Sequence, residues 1–300
     1  MIDLCFLGTG GTLPMPDRAL ASLYVRVNGH ALLIDCGEGT QVGIRRLGWG
    51  FKCIDGILIT HYHGDHVGGL PGLLLSIDKA GREEPLHIWG PAGLKRIVDG
   101  LRVVAPQVQY PIILHDGDNS AFSLIGLKIR SFPLNHGVPC WGWRLQLPRR
   151  PLFDPLKAKR LGIPVQDWKK LQDGQSVTLN GQTVQPEQIS GNPRKGISLL
   201  YATDTRPVPA ILHEGKGVDL MILEGTYGEE EKLPQALKNR HMLFREAAAL
   251  ARDAGAQRLM LTHFSTGLEV PEDSLPNATE IFPETACATD GLTLTLRYPD

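Results

Sequence analysis

Thr60-His61-Tyr62-His63-Gly64-Asp65-His66 closes an apolar run, Ile54-Asp55-Gly56-Ile57-Leu58-Ile59. A short continuous apolar run of this kind reads as a buried strand. On an extended backbone, residues two apart point to the same side, so His61 and His63 can grip one ion together. Gly64 lets the chain turn, and Asp65 and His66 can then face a second ion. Imidazole and carboxylate are the nitrogen and oxygen ligands that zinc accepts in catalytic sites. A polar strand end is the plainer reading, but three of the chain's ten histidines fall within the six positions from His61 to His66.

Three more strand-like runs end in a residue of ligand type. Leu127 to Leu134 leads to Asn135-His136, Ile197 to Ala202 leads to Thr203-Asp204, and Leu259-Met260-Leu261 leads to Thr262-His263. Strands ending at one edge of a sheet would bring these side chains together, where open α/β sheets hold their chemistry. Seven candidates result. His61, His63 and His136 would take one ion, Asp65, His66 and His263 the other, and Asp204 would bridge the two.

Taken with their flanking sequence, these residues resemble the metallo-β-lactamase superfamily. Within it, the chain is similar to the ribonuclease Z family of tRNA 3′-endonucleases, nearly end to end. The resemblance rests on Phe6-Leu-Gly-Thr-Gly-Gly11, Asp35-Cys-Gly-Glu-Gly-Thr-Gln41, and His61 to His66 with Gly69-Leu-Pro-Gly-Leu73. It continues through Pro133-Leu-Asn-His-Gly137, Thr203-Asp-Thr-Arg-Pro207, the segment from His241, Thr262-His-Phe-Ser265, and Ile281-Phe-Pro with Ala288-Thr-Asp-Gly291. It implies an αββα sandwich, two zinc ions (manganese or iron fit the same ligands), precursor tRNA as substrate, and a homodimer. Three departures bear on substrate choice. Ser265-Thr266-Gly267-Leu268 lacks the family's usual arginine, Gly162 to Trp168 lacks its Gly-Pro pair, and Arg18 is followed by Ala19 where asparagine is usual.

Composition agrees with an intracellular enzyme. The 300 residues, 42% of them hydrophobic, suffice for a single α/β domain over residues 1–300 with an insertion. No apolar stretch approaches the ~18 residues of a membrane span. Met1-Ile-Asp-Leu has no basic leader. Five cysteines without C-x-x-C spacing argue for free thiols and a cytoplasmic address. Strands are expected at 4–7, 23–27, 31–34, 54–60, 124–130, 141–147, 198–202, 220–223, 258–262 and 292–296. Helices are expected at 40–47, 69–78, 91–101, 209–214 and 241–254. Pattern alone gives only α/β.

Residues 144–195 stand apart, rich in Pro and Gln. They carry ten Lys or Arg against four acids, a net +6, while the rest of the chain carries 21 against 28, a net −7. A near-neutral total thus conceals a basic insertion on an acidic body. The resemblance places a tRNA-holding arm here, its flexibility left open, with Arg149, Arg150, Lys157, Lys159 and Arg160 as phosphate contacts.

Two metal ions in such a site would acidify a shared water for in-line attack on phosphorus. Asp65 would orient or deprotonate that water while touching metal, as the family implies. His241, read as opening a helix, is the candidate for protonating the leaving 3′ oxygen, although a helix N-terminus disfavours a charged imidazole. Glu224 is placed to orient His241. The alternative function is a related metallo-hydrolase of small or cyclic phosphodiesters or sulfate esters.

Overall fold

The computed structural model describes residues 1–179 and 181–299. The chain forms two compact units, Met1–Leu147 with Ile197–Arg297, and Pro148–Gly196 with the C-terminal residues from Tyr298 on.

The larger unit begins with β1 (Ile2–Gly8), β2 (Ser22–Val27), β3 (His30–Ile34), α1 (Thr40–Leu47) and β4 (Ile54–Leu58). The one-turn α2 (Gly64–Val67), α3 (Leu70–Lys79), β5 (Leu86–Gly90), α4 (Leu94–Leu101) and β6 (Ile112–Asp116) follow. Next come β7 (Phe122–Leu124), β8 (Leu127–Pro133) and β9 (Trp141–Arg149). The smaller unit contains α5 (Pro155–Arg160), α6 (Val165–Gln172) and the hairpin β10 (Val177–Leu179) with β11 (Gln182–Val184). The chain continues with β12 (Arg194–Ala202), α7 (Pro209–Gly215), β13 (Leu220–Glu224), α8 (Leu233–Asn239), α9 (Phe244–Ala254) and β14 (Leu259–Thr262). It ends with α10 (Pro276–Thr279), β15 (Thr285–Cys287) and β16 (Thr293–Leu296).

Two seven-stranded sheets run β16-β1-β2-β3-β4-β5-β6 and β15-β14-β13-β12-β9-β8-β7. β3 to β6 are parallel, as are β12 to β15, while the pairs β1–β2, β2–β3 and β8–β9 are antiparallel. Strands buried on both faces read as continuous apolar runs, which is why Ile57-Leu58-Ile59 and Leu220-Met221-Ile222-Leu223 show no alternation. Successive side chains serve opposite faces. Cys5, Leu7, Leu33 and Ile57 pack with Ile44 of α1, Leu73 and Leu74 of α3 and Val98 of α4. On the second sheet, Leu200, Met221, Leu223 and Leu261 pack with Ile211 of α7, Ala247 and Ala251 of α9 and Ala278 of α10. The other faces meet each other. Trp89 of β5 stacks on Phe122 of β7 at 4.1 Å, and Gly56 of β4 lies against Leu124 of β7. The result is helix, sheet, sheet, helix, the expected αββα sandwich.

Some boundaries differ from the sequence reading. β4 ends at Leu58, because Thr60 turns its amide to the Asp35 carboxylate instead of a neighbouring strand. α4 starts at Leu94, after Gly93 at φ 100°. α9 starts at Phe244, leaving His241 outside the helix. The apolar runs of β5 and β6 are too short for a periodicity argument and pass unread. The smaller unit has a core of its own, with Ala158, Ile163, Leu171, Val177, Val184 and Ile189 buried. Its spacing is too irregular to announce helices. Among the described residues, no helix is long and apolar enough to cross a membrane.

Candidate metal centre

Each ligand-type side chain stands just past the end of a strand. His61 and His63 follow β4, and Asp65 and His66 occupy the single turn of α2. His136 follows β8, Asp204 follows β12 and His263 follows β14. Asp35, Asp204 and His263 hold φ of 60°, 59° and 58°. For a non-glycine residue the left-handed region costs roughly 1–2 kcal/mol. Three such residues, following β3, β12 and β14 around one cluster of side chains, are strain of the kind that functional sites retain.

The geometry brings both predicted triads together. Ligand atoms of His61, His63 and His136 lie within 4.8 Å of one another, as do those of Asp65, His66 and His263. Nε2 of His61 is 2.9 Å from Nδ1 of His63, which is 3.3 Å from Nε2 of His136. On the other side, Nε2 of His66 and Nε2 of His263 are 3.1 Å apart. Asp204 lies between them, with Oδ2 3.2 Å from each of the latter nitrogens and Oδ1 3.9 Å from Nε2 of His61. His61, His66, Asp204 and His263 form the buried floor, and His63 is exposed at the mouth.

These residues fit cations. Oδ2 of Asp204 is buried 3.2 Å from Nε2 of both His66 and His263 without a well-formed hydrogen bond to either, and a buried carboxylate oxygen needs a positive partner. The Asp35 carboxylate sits 2.8 Å from Nδ1 of His66. With a proton on that nitrogen, Nε2 turns its lone pair toward Nε2 of His263 unless a second proton is taken up. Burial raises the Asp204 pKa, but His263, His66 and His61 together hold it well below the ordinary carboxylate range. Burial also opposes ionisation of Asp65, and hydrogen bonds from His263 and His66 overcome it. His61 is pulled down to about 2, by burial first and then by His66. Burial lowers the His66 pKa, yet Asp204 and Asp35 carry it well above its ordinary value. Ionised carboxylates facing converging ring nitrogens form a divalent-metal site.

The surrounding groups that fix this cluster include several to which the sequence reading gave no role. Asp35 is fully buried, accepts from the Thr60 amide at 2.8 Å, and has its pKa raised by burial. The amide of Thr12 donates to Oδ2 of Asp65 at 2.7 Å. Gly11 passes so near His263 that a Cβ there would come within 2.4 Å of the ring. Asp35 lay in plain view inside the Asp35 to Gln41 signature, but only the fold shows which histidine it orients. Partners that orient ligating histidines are typically worth ~10–100-fold in metal affinity or activity. Asp35→Asn is therefore expected to weaken metal binding by about that factor, read by competition with a chromogenic chelator. Unchanged affinity would mean that His66 needs no orienting partner.

Glu224, fully buried at the end of β13, accepts from Thr205 N at 2.6 Å, Thr226 Oγ1 at 2.6 Å and Met242 N at 3.0 Å. Its Oε2 lies 2.9 Å from Nδ1 of His241. The His241 ring stacks beside His263, centroids 5.7 Å apart, with its side chain 12% exposed. His241 lies three residues before the start of α9, and its charge is governed by the carboxylate beside it. Burial lowers its pKa, but Glu224, with Asp204 and Asp65 behind it, pushes it up to about 9. Arg206 donates to the His241 carbonyl and pairs with Glu246, pinning this segment.

The five basic residues assigned to substrate lie in or at the edge of the smaller unit. Arg149 donates to the Pro299 carbonyl, Arg150 to that of Gln172 and Lys157 to that of Ser190. Lys159 and Arg160 are exposed on α5.

Residues 2–98 match the family described as Anti-Pycsar protein Apyc1, and residues 156–264 match the beta-lactamase superfamily domain. The chain is 46% identical to a ribonuclease Z of Lachnospira eligens over 302 residues, covering 100% of this chain and 99% of that protein. The chain belongs to the ribonuclease Z family. A ribonuclease Z of Clostridium acetobutylicum is 45% identical, with 97% of this chain and 96% of that protein covered. Among solved structures, the short form of human tRNase Z superposes with a TM-score of 0.70 at 23% identity, covering 98% of this chain and 99% of that one. YhfI of Bacillus subtilis, another metallo-beta-lactamase fold protein, gives 0.69 at 18%. At those identities the two structures speak for the fold alone. Family and fold together make the chain a metal-dependent hydrolase.

Proposed function

We propose that this chain is a zinc-dependent endoribonuclease that cuts precursor tRNA near its 3′ end. The observation that carries the reading is one cleft gathering the seven candidate ligands, in a chain matched along its whole length by ribonuclease Z proteins. His61, His63 and His136 would hold one zinc ion, Asp65, His66 and His263 the second, and Asp204 both. When bound, the ions supply Lewis-acid charge to the phosphodiester and acidify water.

The chain's own groups supply the rest. Asp65, held by the Thr12 amide, takes the proton from the attacking water as its oxygen bonds to phosphorus. The P–O3′ bond breaks, and His241 gives its proton to the departing 3′ oxygen. Glu224 fixes Nδ1 of His241, leaving the other ring nitrogen for substrate. The five cysteines are free thiols, which supports a cytoplasmic enzyme. A homodimer is part of the same proposal and rests on family membership.

The basic smaller unit would be the arm that holds RNA phosphates. Arg149, Arg150 and Lys157 also tie its own main chain, so their removal confounds charge with folding. Lys159 and Arg160 avoid that problem. The Lys159→Ala, Arg160→Ala double variant is expected to reduce the log–log salt slope of precursor tRNA binding by roughly 0.7–0.9 per lost contact. Hydrolysis of a small aryl diester, which needs only the metal centre, should persist. Unchanged tRNA affinity and slope would make α5 an ordinary solvated helix.

A further inference from the structure

The segment from Thr9 to Ala19 reaches from the end of β1 across the metal centre. Thr12, Leu13, Pro14, Pro16 and Asp17 in it are exposed, so packing cannot hold its course. Its stem is tied instead. Gly10 N donates to the Ala19 carbonyl at 2.9 Å, and Gly11 N to that of Phe264 at 3.0 Å. One side chain, 281 residues from Thr9 and 271 from Ala19, binds both ends of the stem. Oδ1 of Asp290 accepts from Thr9 N at 2.9 Å and Thr9 Oγ1 at 2.8 Å, and Oδ2 accepts from Ala19 N at 2.6 Å. The loop's inner turn meets the centre twice, through Gly11 against the His263 ring and through the Thr12 amide on Asp65.

We propose that Asp290 is a positioning residue for the reaction: it holds residues 9–19 as a strap that keeps the Thr12 amide on the Asp65 carboxylate. The physical reason lies in what that bond does. A carboxylate that must both face an ion and receive a proton has several rotamers open to it. A fixed main-chain donor selects one, and the bond is strong because the acceptor is charged. The donor can be no better fixed than its loop. Thr12 itself sits at φ 71°, a conformation that relaxes once the stem is released. Asparagine at 290 can still accept from Thr9 but turns an NH₂ group toward the Ala19 amide, so the Ala19 end loses the bond of its amide and keeps those of its carbonyl to Gly10 and of the neighbouring Arg18 to the Leu268 and Glu269 carbonyls.

The proposal rests on the reading of Asp65 as ligand and base, and the test separates the two. In metal-free Asp290→Asn protein, hydrogen exchange of the Thr12 amide is expected to accelerate by at least about tenfold. In zinc-loaded protein, kcat per bound zinc on bis(4-nitrophenyl) phosphate is expected to fall ~10–100-fold, with KM changed less than about twofold. Val25→Ala, a cavity in the buried core of β2, serves as a control for lost stability alone. It should lower Tm without changing kcat per bound zinc. The strap is overturned if Asp290→Asn behaves like Val25→Ala, or if Thr12 exchange is unaltered. Should Asp65→Asn keep full turnover, the reading of Asp65 as base falls, while the exchange result still reports on the strap.

Discussion

Asp204→Ala empties both halves of the centre and lowers RNA cleavage by more than the ~10–100-fold that an orienting partner is worth. The expectation follows from where the two oxygens stand. Oδ2 is 3.2 Å from Nε2 of both His66 and His263, and Oδ1 is 3.9 Å from Nε2 of His61. No other carboxylate among the described residues reaches histidines of both triads at these distances. Alanine also removes one of the two carboxylate charges that carry the His66 pKa upward, so the buried floor loses an anionic partner with or without metal. Elemental analysis of the wild type should give two ions per chain, and of the variant less than one. A fully active wild type with one ion per chain would sink the dinuclear account.

His241→Ala should keep both metals and the fold, yet lose ~10²–10⁴-fold in turnover on RNA, the usual worth of a general acid or base. The loss should shrink on a nitrophenyl diester, whose leaving group departs without a proton. An equal loss on both substrates would point to phosphate positioning instead. The pH profile carries the same signature. His241 must be protonated to act, and its pKa is raised, so activity is present below that pKa and lost as pH rises through it. Bound cations neutralise Asp204 and Asp65, two of the three carboxylates that lift it. The alkaline limb should therefore fall below about 9, and be absent from His241→Ala.

Much of this site was legible before any coordinates. Each ligand follows an apolar strand, and a strand end is a local feature that neighbouring residues announce. His61 to His66 is also dense enough to be read without alignment. Of the orienting groups, Glu224 was named from its place at a strand end, but Asp35 and Asp290 were not, for a physical reason: they act across the fold. Asp35 meets His66 over 31 residues, Glu224 meets His241 over 17 and Asp290 meets Thr9 over 281. Nothing in the residues around Asp290 signals such a partner. His241 shows the opposite error. The helical run from Phe244 extends the pattern backward by eye, while the extended Leu243, at φ −83°, ψ 156°, stops the helix at Phe244. The charge at His241 is set by the Glu224 carboxylate at 2.9 Å and not by its distance from the helix. In residues 148–196 the turns and the small core of Ala158, Ile163 and Leu171 lack the regular spacing that a helix or sheet face needs.

Two substrates in parallel test the central claim most directly. Purified zinc-loaded protein is given a precursor tRNA with a 3′ extension and, separately, bis(4-nitrophenyl) phosphate, and kcat/KM is measured for each. The account predicts a single cut near the 3′ end of the tRNA, lost on chelation and restored by zinc, at a kcat/KM far above that of the diester. Rapid diester hydrolysis by a protein that leaves the precursor intact would contradict it, and would make a small-diester hydrolase the better description of the same centre.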